Sequence, residues 1–205
     1  MHTAPLAGGL LALVFLGAGA AAAQDTLVEP STEKRFPASV SFTYDGTTYT
    51  LEASGATVRK KFFIKVYAVV HYIDTTLQGS PDARVAEVLK DDHAKQLTLD
   101  FARDVGKTQI QDAFRDGFAA NATEAEATRI KPDVEKFLTF FDREIKENDT
   151  LIFRWLPGGV VLTEAYGEER PPLKDPVFAR VLWTIWFGED SIVDPEDLVM
   201  RPEAD

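Results

Sequence analysis

Cysteine is absent from the 205-residue chain. Thiol catalysis, thiolate metal sites and disulfide bracing are therefore excluded, and an exported form would have to rest on its hydrophobic core. Histidine is nearly as scarce. His2, His71 and His93 show no metal-ligand spacing, and no metal is expected. There is no Gly-rich phosphate loop, since Gly158-Gly159 reads as a hairpin turn, and no G-x-S-x-G elbow, so no cofactor is expected. Basic charge is also in deficit: 22 Lys and Arg stand against 33 Asp and Glu, for a net charge of −11. That balance argues against a nucleic-acid partner and against an anionic membrane surface.

Long hydrophobic runs are missing after residue 23. The one before it, Ala7 to Ala23, is shorter than the roughly 20 residues of a membrane span. It ends in Ala21-Ala22-Ala23, a small-residue cleavage pattern, and residues 1–23 read as a secretory signal peptide. The match is imperfect because no Lys or Arg precedes the apolar stretch. Without cysteine there is no lipoprotein attachment site. The expectation is a periplasmic or secreted protein with no stable membrane span after cleavage. Residues 24–205 would form a single domain still carrying −11, because the leader contains no Asp, Glu, Lys or Arg.

Alternating patterns dominate what remains. Val40–Tyr44 and Tyr49–Leu51 flank Asp45-Gly46, a strong hairpin signal. Val58 to Ile73 alternates throughout and reads as one long strand. Its even positions are apolar except Lys60. Its odd positions, Arg59, Lys61, Phe63, Lys65, Tyr67, Val69, His71 and Ile73, mix cations, a phenol and aromatic bulk. Such a face suits an anionic, largely apolar small molecule. The plainer reading of such a strand is a solvated face whose Lys and Arg guard a sheet against aggregation.

Further along, residues 83–91 read as a short helix and 96–102 as a strand. Thr108-x-x-Gln111 and Thr123-x-x-Glu126 are capping-box patterns. Pro132 predicts a kink or restart, after which Val134, Phe137, Leu138, Phe141 and Ile145 mark a helix ending near Glu147. Leu151–Leu156 and Val160–Thr163 form a second hairpin. Asp175-Pro176 opens a last helix that stops at Gly188. Gln24 to Phe36 reads as a loose lead-in. The order predicts an α+β fold with helices on one face of an antiparallel sheet. The acidic pairs Glu124/Glu126 and Glu168/Glu169 read as solvated, and Trp183, Trp186 and the Phe137–Phe141 cluster as core.

Four ordered segments carry a resemblance. They are Gly55-Ala-Thr-Val-Arg59-Lys with Phe63-Ile-Lys-Val-Tyr67-Ala; Leu97-x-Leu-x-Phe-x-Arg103-Asp104-Val; the strand before Pro157-Gly158-Gly159; and Leu182-Trp-Thr-Ile-Trp-Phe-Gly188-Glu189. Together they resemble the chalcone isomerase-like family across essentially the whole mature chain. The resemblance implies an open-faced sandwich, an antiparallel sheet covered by helices on one face.

The family's plant enzymes cyclise a chalcone to a flavanone, with an arginine stabilising the developing anion. Arg59 matches that arginine in motif. The catalytic threonine positions fall on Tyr67 and Ile185, so chalcone isomerase activity is not expected and no catalytic residue is assigned. The family's non-catalytic plastid members pair an arginine with a tyrosine to hold a fatty-acid carboxylate. By that likeness Arg59 and Tyr67 are the anchoring pair, with Phe63 and Ile185 lining the cleft. A guanidinium fork and a phenol suit a buried carboxylate. On a straight strand, however, eight residues span about 26 Å. The two converge only if the chain bulges or turns between them, near Lys60-Lys61. The implied function is an exported, non-catalytic protein that binds a small apolar acid such as a fatty acid. The alternatives are an envelope interaction or assembly module without a small ligand, and an isomerase- or lyase-type enzyme using Arg59 and Tyr67.

Overall fold

The computed structural model describes residues 25–200; the expected signal peptide lies outside them. The chain forms β1 (Thr26–Val28), β2 (Arg35–Pro37), β3 (Ser39–Tyr44), β4 (Thr47–Lys61), β5 (Ile64–Ile73), α1 (Pro81–Val88), β6 (Lys95–Phe101), α2 (Lys107–Asn121), α3 (Glu124–Leu138), β7 (Thr150–Leu156), β8 (Val160–Ala165), β9 (Glu168–Glu169), β10 (Leu173–Lys174), α4 (Pro176–Phe187) and a 3₁₀ turn (Glu196–Leu198). The main sheet runs β10-β8-β7-β6-β5-β4-β3, with β9 beside β8, and every pairing is antiparallel. It curls into a half-barrel. The Arg154 guanidinium on β7 sits 4.6 Å from the centre of the Phe42 ring on β3, although three strands separate them in the sheet. This is the predicted α+β architecture.

One sheet face packs against the helices. Phe114 and Phe118 of α2, Phe137 of α3, Phe153 of β7 and Phe178 and Trp186 of α4 interlock there, Phe118 on Phe178 at 5.4 Å and Phe153 on Trp186 at 5.9 Å between ring centres. Helix α4 is apolar on nearly every side because it is buried on nearly every side. Asp175 caps it, its carboxylate accepting from the N–H groups of Val177 (2.7 Å) and Phe178 (3.1 Å). The opposite face holds a smaller core, with Leu51, Ala68, Val70 and Tyr72 beneath Leu27 and Phe36.

Four expectations need correction. The long strand Val58–Ile73 is a hairpin that reverses at Phe62-Phe63, where Phe62 takes φ 57°. The loose lead-in contains the paired strands β1 and β2, pinned because Leu27 and Phe36 are buried. Helix α3 runs unbroken through Pro132 from the Thr123–Glu126 box and ends at Leu138; Phe140 and Phe141 still pack inward from the following turn. Helix α2 starts before Thr108, with the Gln109 side chain accepting from Gly106 N–H at 3.1 Å. Gln111 instead donates to the carbonyls of Leu138 and Phe141, tying α2 to the end of α3.

Candidate functional site

The β4–β5 hairpin brings the two anchoring candidates together. Arg59 and Tyr67 are direct cross-strand partners, next to a register shift between Arg59 and Lys60. A reversal three to four residues beyond Arg59, at Phe62-Phe63, removes the separation that a straight strand would impose.

Tyr67 points into the helix-covered core and is 5% exposed. Its ring meets Phe101 at 5.3 Å. Its hydroxyl oxygen accepts from the Trp186 indole N–H at 3.2 Å, while its own hydrogen has no acceptor among the described residues. Burial pushes the phenol well above its ordinary pKa; the Trp186 hydrogen bond and the Arg59 charge oppose that more weakly. Tyr67 is therefore a protonated donor at any physiological pH.

Arg59 is half-buried. Its Nη1 donates to the carbonyls of Lys60 (2.9 Å) and Ile192 (2.8 Å). The remaining guanidinium hydrogens have no acceptor among the described residues. Two side chains with unspent donors thus share one rung of the hairpin, a constellation suited to accepting an anion.

The other two candidates lie differently. Ile185 is 2% exposed and lies over Gly117 of α2, where an added Cβ would come within 3.0 Å of its Cδ1. The Ile185 carbonyl accepts from Ile192 N–H at 3.0 Å, so its backbone reaches the same loop that Arg59 holds. Phe63 stands 97% exposed at the hairpin tip, apart from that rung. Trp186 is the member that the sequence did not announce; its helical spacing marked only a core residue.

Two hollows open elsewhere. One, of about 290 Å³, is lined by residues including Glu52, Ser54, Thr75, Leu77 and Arg84. The other, of about 260 Å³, lies between α2 and α3 among Phe118, Ala122, Ile130, Val134 and Leu138. Arg59 and Tyr67 line neither. Glu87, Asp92 and His93 bring ligand-type atoms within 4.8 Å of one another at the surface. Asp74, which also pairs with His93 at 3.1 Å, accounts for this cluster as an acidic clasp on the imidazole.

A fatty-acid binding protein of Arabidopsis thaliana superposes with a TM-score of 0.70 at 18% identity, covering 85% of this chain and 96% of that one. That likeness is one of fold. No curated protein matches the sequence. The family model described as chalcone isomerase-like matches residues 33–197, a span that includes the β4–β5 hairpin and all four helices, and the chain belongs to that family.

Proposed function

We propose that the protein is exported and binds a small apolar acid, a fatty acid being the leading candidate, without transforming it. The observation that carries the reading is the Arg59–Tyr67 rung, with Trp186 orienting the phenol. A carboxylate there would accept from the guanidinium and from the Tyr67 O–H, and its tail would turn toward the aromatic core. The fatty-acid binding protein of similar fold supports the same ligand class.

The position of Tyr67 fits binding better than catalysis. A buried phenol with a raised pKa stays protonated, so its O–H remains available to a hydrogen-bond acceptor but is not easily given up. Calorimetric titration of a medium-chain fatty acid tests the assignment. Arg59→Gln should weaken affinity by about tenfold or more and Tyr67→Phe by about tenfold, as loss of a hydrogen bond to a charged carboxylate implies in each case. Unchanged affinity in Arg59→Gln would refute it.

A second reading, an envelope interaction module, draws on the dense packing of rings from Phe114 to Trp186. It requires that no apolar acid bind at all, and the same titration separates the two.

A further inference from the structure

We infer that the β4–β5 hairpin tip is a docking element for an anionic lipid bilayer. Phe62, Phe63 and Ile64 are 87%, 97% and 51% exposed, side by side at one turn. Among the described residues the other large exposed apolar side chains are only Val28 and Met200, so the exposure is concentrated here. A patch of this kind on an otherwise acidic molecule calls for something to cover it.

Its flanks say what. Lys60, Lys61 and Lys65 are exposed around the aromatic pair, with Arg59 just behind. No acidic residue occurs from Ala53 to Ile73. None of these four cations enters an ion pair among the described residues. Lys65 donates to the Ser31 carbonyl. Lys60 and Lys65 are direct cross-strand partners, an unfavourable juxtaposition unless an anionic counterpart lies in front of both. Aromatic rings ringed by lysines match the acyl boundary and the phosphate layer of a bilayer, the rings entering and the ammonium groups staying with the phosphates.

The geometry agrees. The last rung that β5 shares with β6 is Tyr67–Phe101. The hairpin beyond Val66 therefore projects about 10 Å, three residues of strand, comparable to the ~5–10 Å to which interfacial elements sink. The backbone adds a sign of its own: Phe62 holds φ 57°, a costly conformation for a bulky residue, where asparagine or glycine would sit without strain. The net charge of −11 opposes an anionic surface over the whole molecule. Screening over about 8 Å at physiological salt leaves the local charges of the tip to decide the contact.

The inference does not depend on the fatty-acid reading, because the test uses vesicles free of fatty acid. The protein is purified from its host in the processed form in which it accumulates. A Phe63→Trp variant is mixed with vesicles of brominated phosphatidylcholine, with and without a quarter of phosphatidylglycerol. The three native tryptophans are buried and out of reach of the bromine, so quenching reports the tip. Strong quenching in the anionic vesicles that weakens at high salt is expected. In co-sedimentation, Phe62→Asn with Phe63→Ser should lower partitioning at least tenfold while leaving the thermal midpoint unchanged or raised, since asparagine suits that φ. An unquenched indole in the anionic vesicles overturns the inference. So does unaltered partitioning of the double variant, or a sedimentation mass showing that the tip joins two copies instead.

Discussion

His71 is fully buried on β5, edge-on to Phe187 at 4.9 Å. Its Nδ1 lies 2.6 Å from Ser54 Oγ, and Ser54 Oγ lies 2.7 Å from the Leu198 carbonyl. One proton arrangement satisfies both contacts: Nδ1–H donates to the serine, and the serine donates to the carbonyl. Nε2 is then a buried lone pair without a partner. Burial, helped by the nearby Lys95 charge, lowers the imidazole from 6.5 to about 3. The folded imidazole thus stays neutral where the unfolded one takes up a proton. Its contribution to stability is complete above pH 6.5 and is lost as pH falls toward about 3. At ~1.4 kcal/mol per pH unit the upper bound is about 5 kcal/mol. Urea unfolding at a series of pH values should show a steeper acid loss in the wild type than in His71→Leu. Parallel curves would mean that the imidazole charges within the fold. The sequence placed His71 on the mixed face of a strand. It could not place Leu198, which lies 127 positions later and makes the histidine structural. The Arg59–Tyr67 pair was legible as residue types, but its convergence depended on a turn that neither side chain reveals.

That turn shows how elements become legible. Asp45 and Gly46, both at positive φ, close the β3–β4 hairpin as their residue types predict. The β4–β5 reversal uses Phe62-Phe63, carries no turn residue, and keeps the alternation going on both sides; Lys60, out of phase in the pattern, was its one visible mark. The separate two-stranded sheet of β1 and β2 was invisible because three-residue strands have no period. Gly55 on β4 had no local meaning either. A Cβ there would meet the Asp197 carbonyl oxygen at 2.2 Å and the Leu198 carbonyl carbon at 2.6 Å. The glycine lets the C-terminal segment cross β4, where Ser54 and Thr57 also hold it. Because the atoms it would strike are backbone, they cannot swing aside. Gly55→Ala should therefore cost about 1–3 kcal/mol, the range for overpacking. It should also speed proteolysis within residues 189–200 and weaken acid binding through displacement of the Ile192 carbonyl from Arg59. A fully stable Gly55→Ala protein would show that the segment is not anchored by this crossing.

For the molecule as a whole, binding and stability are linked. The proposed anion site joins two parts that are far apart in sequence: the β4–β5 hairpin with Arg59 and Tyr67, and the C-terminal part with Trp186 on α4 and the Ile192 loop closing the ring. A ligand that holds these together binds the folded chain and not the unfolded one. At one hundred times its dissociation constant it adds about 2.7 kcal/mol. For a domain of this size each kcal/mol raises the melting temperature by roughly 2–4 °C, so a shift of about 5–10 °C is expected with a medium-chain fatty acid. The alcohol of equal chain length retains the tail and loses the charge. It should give a small fraction of that shift, as should the acid with Arg59→Gln. Equal shifts from acid and alcohol would place the tail in an apolar hollow such as the α2–α3 groove, with the rung uninvolved. No shift from either would favour the interaction module. The tip variants should leave the acid-induced shift intact, because Phe62 and Phe63 stand exposed at the turn, apart from the Arg59–Tyr67 rung.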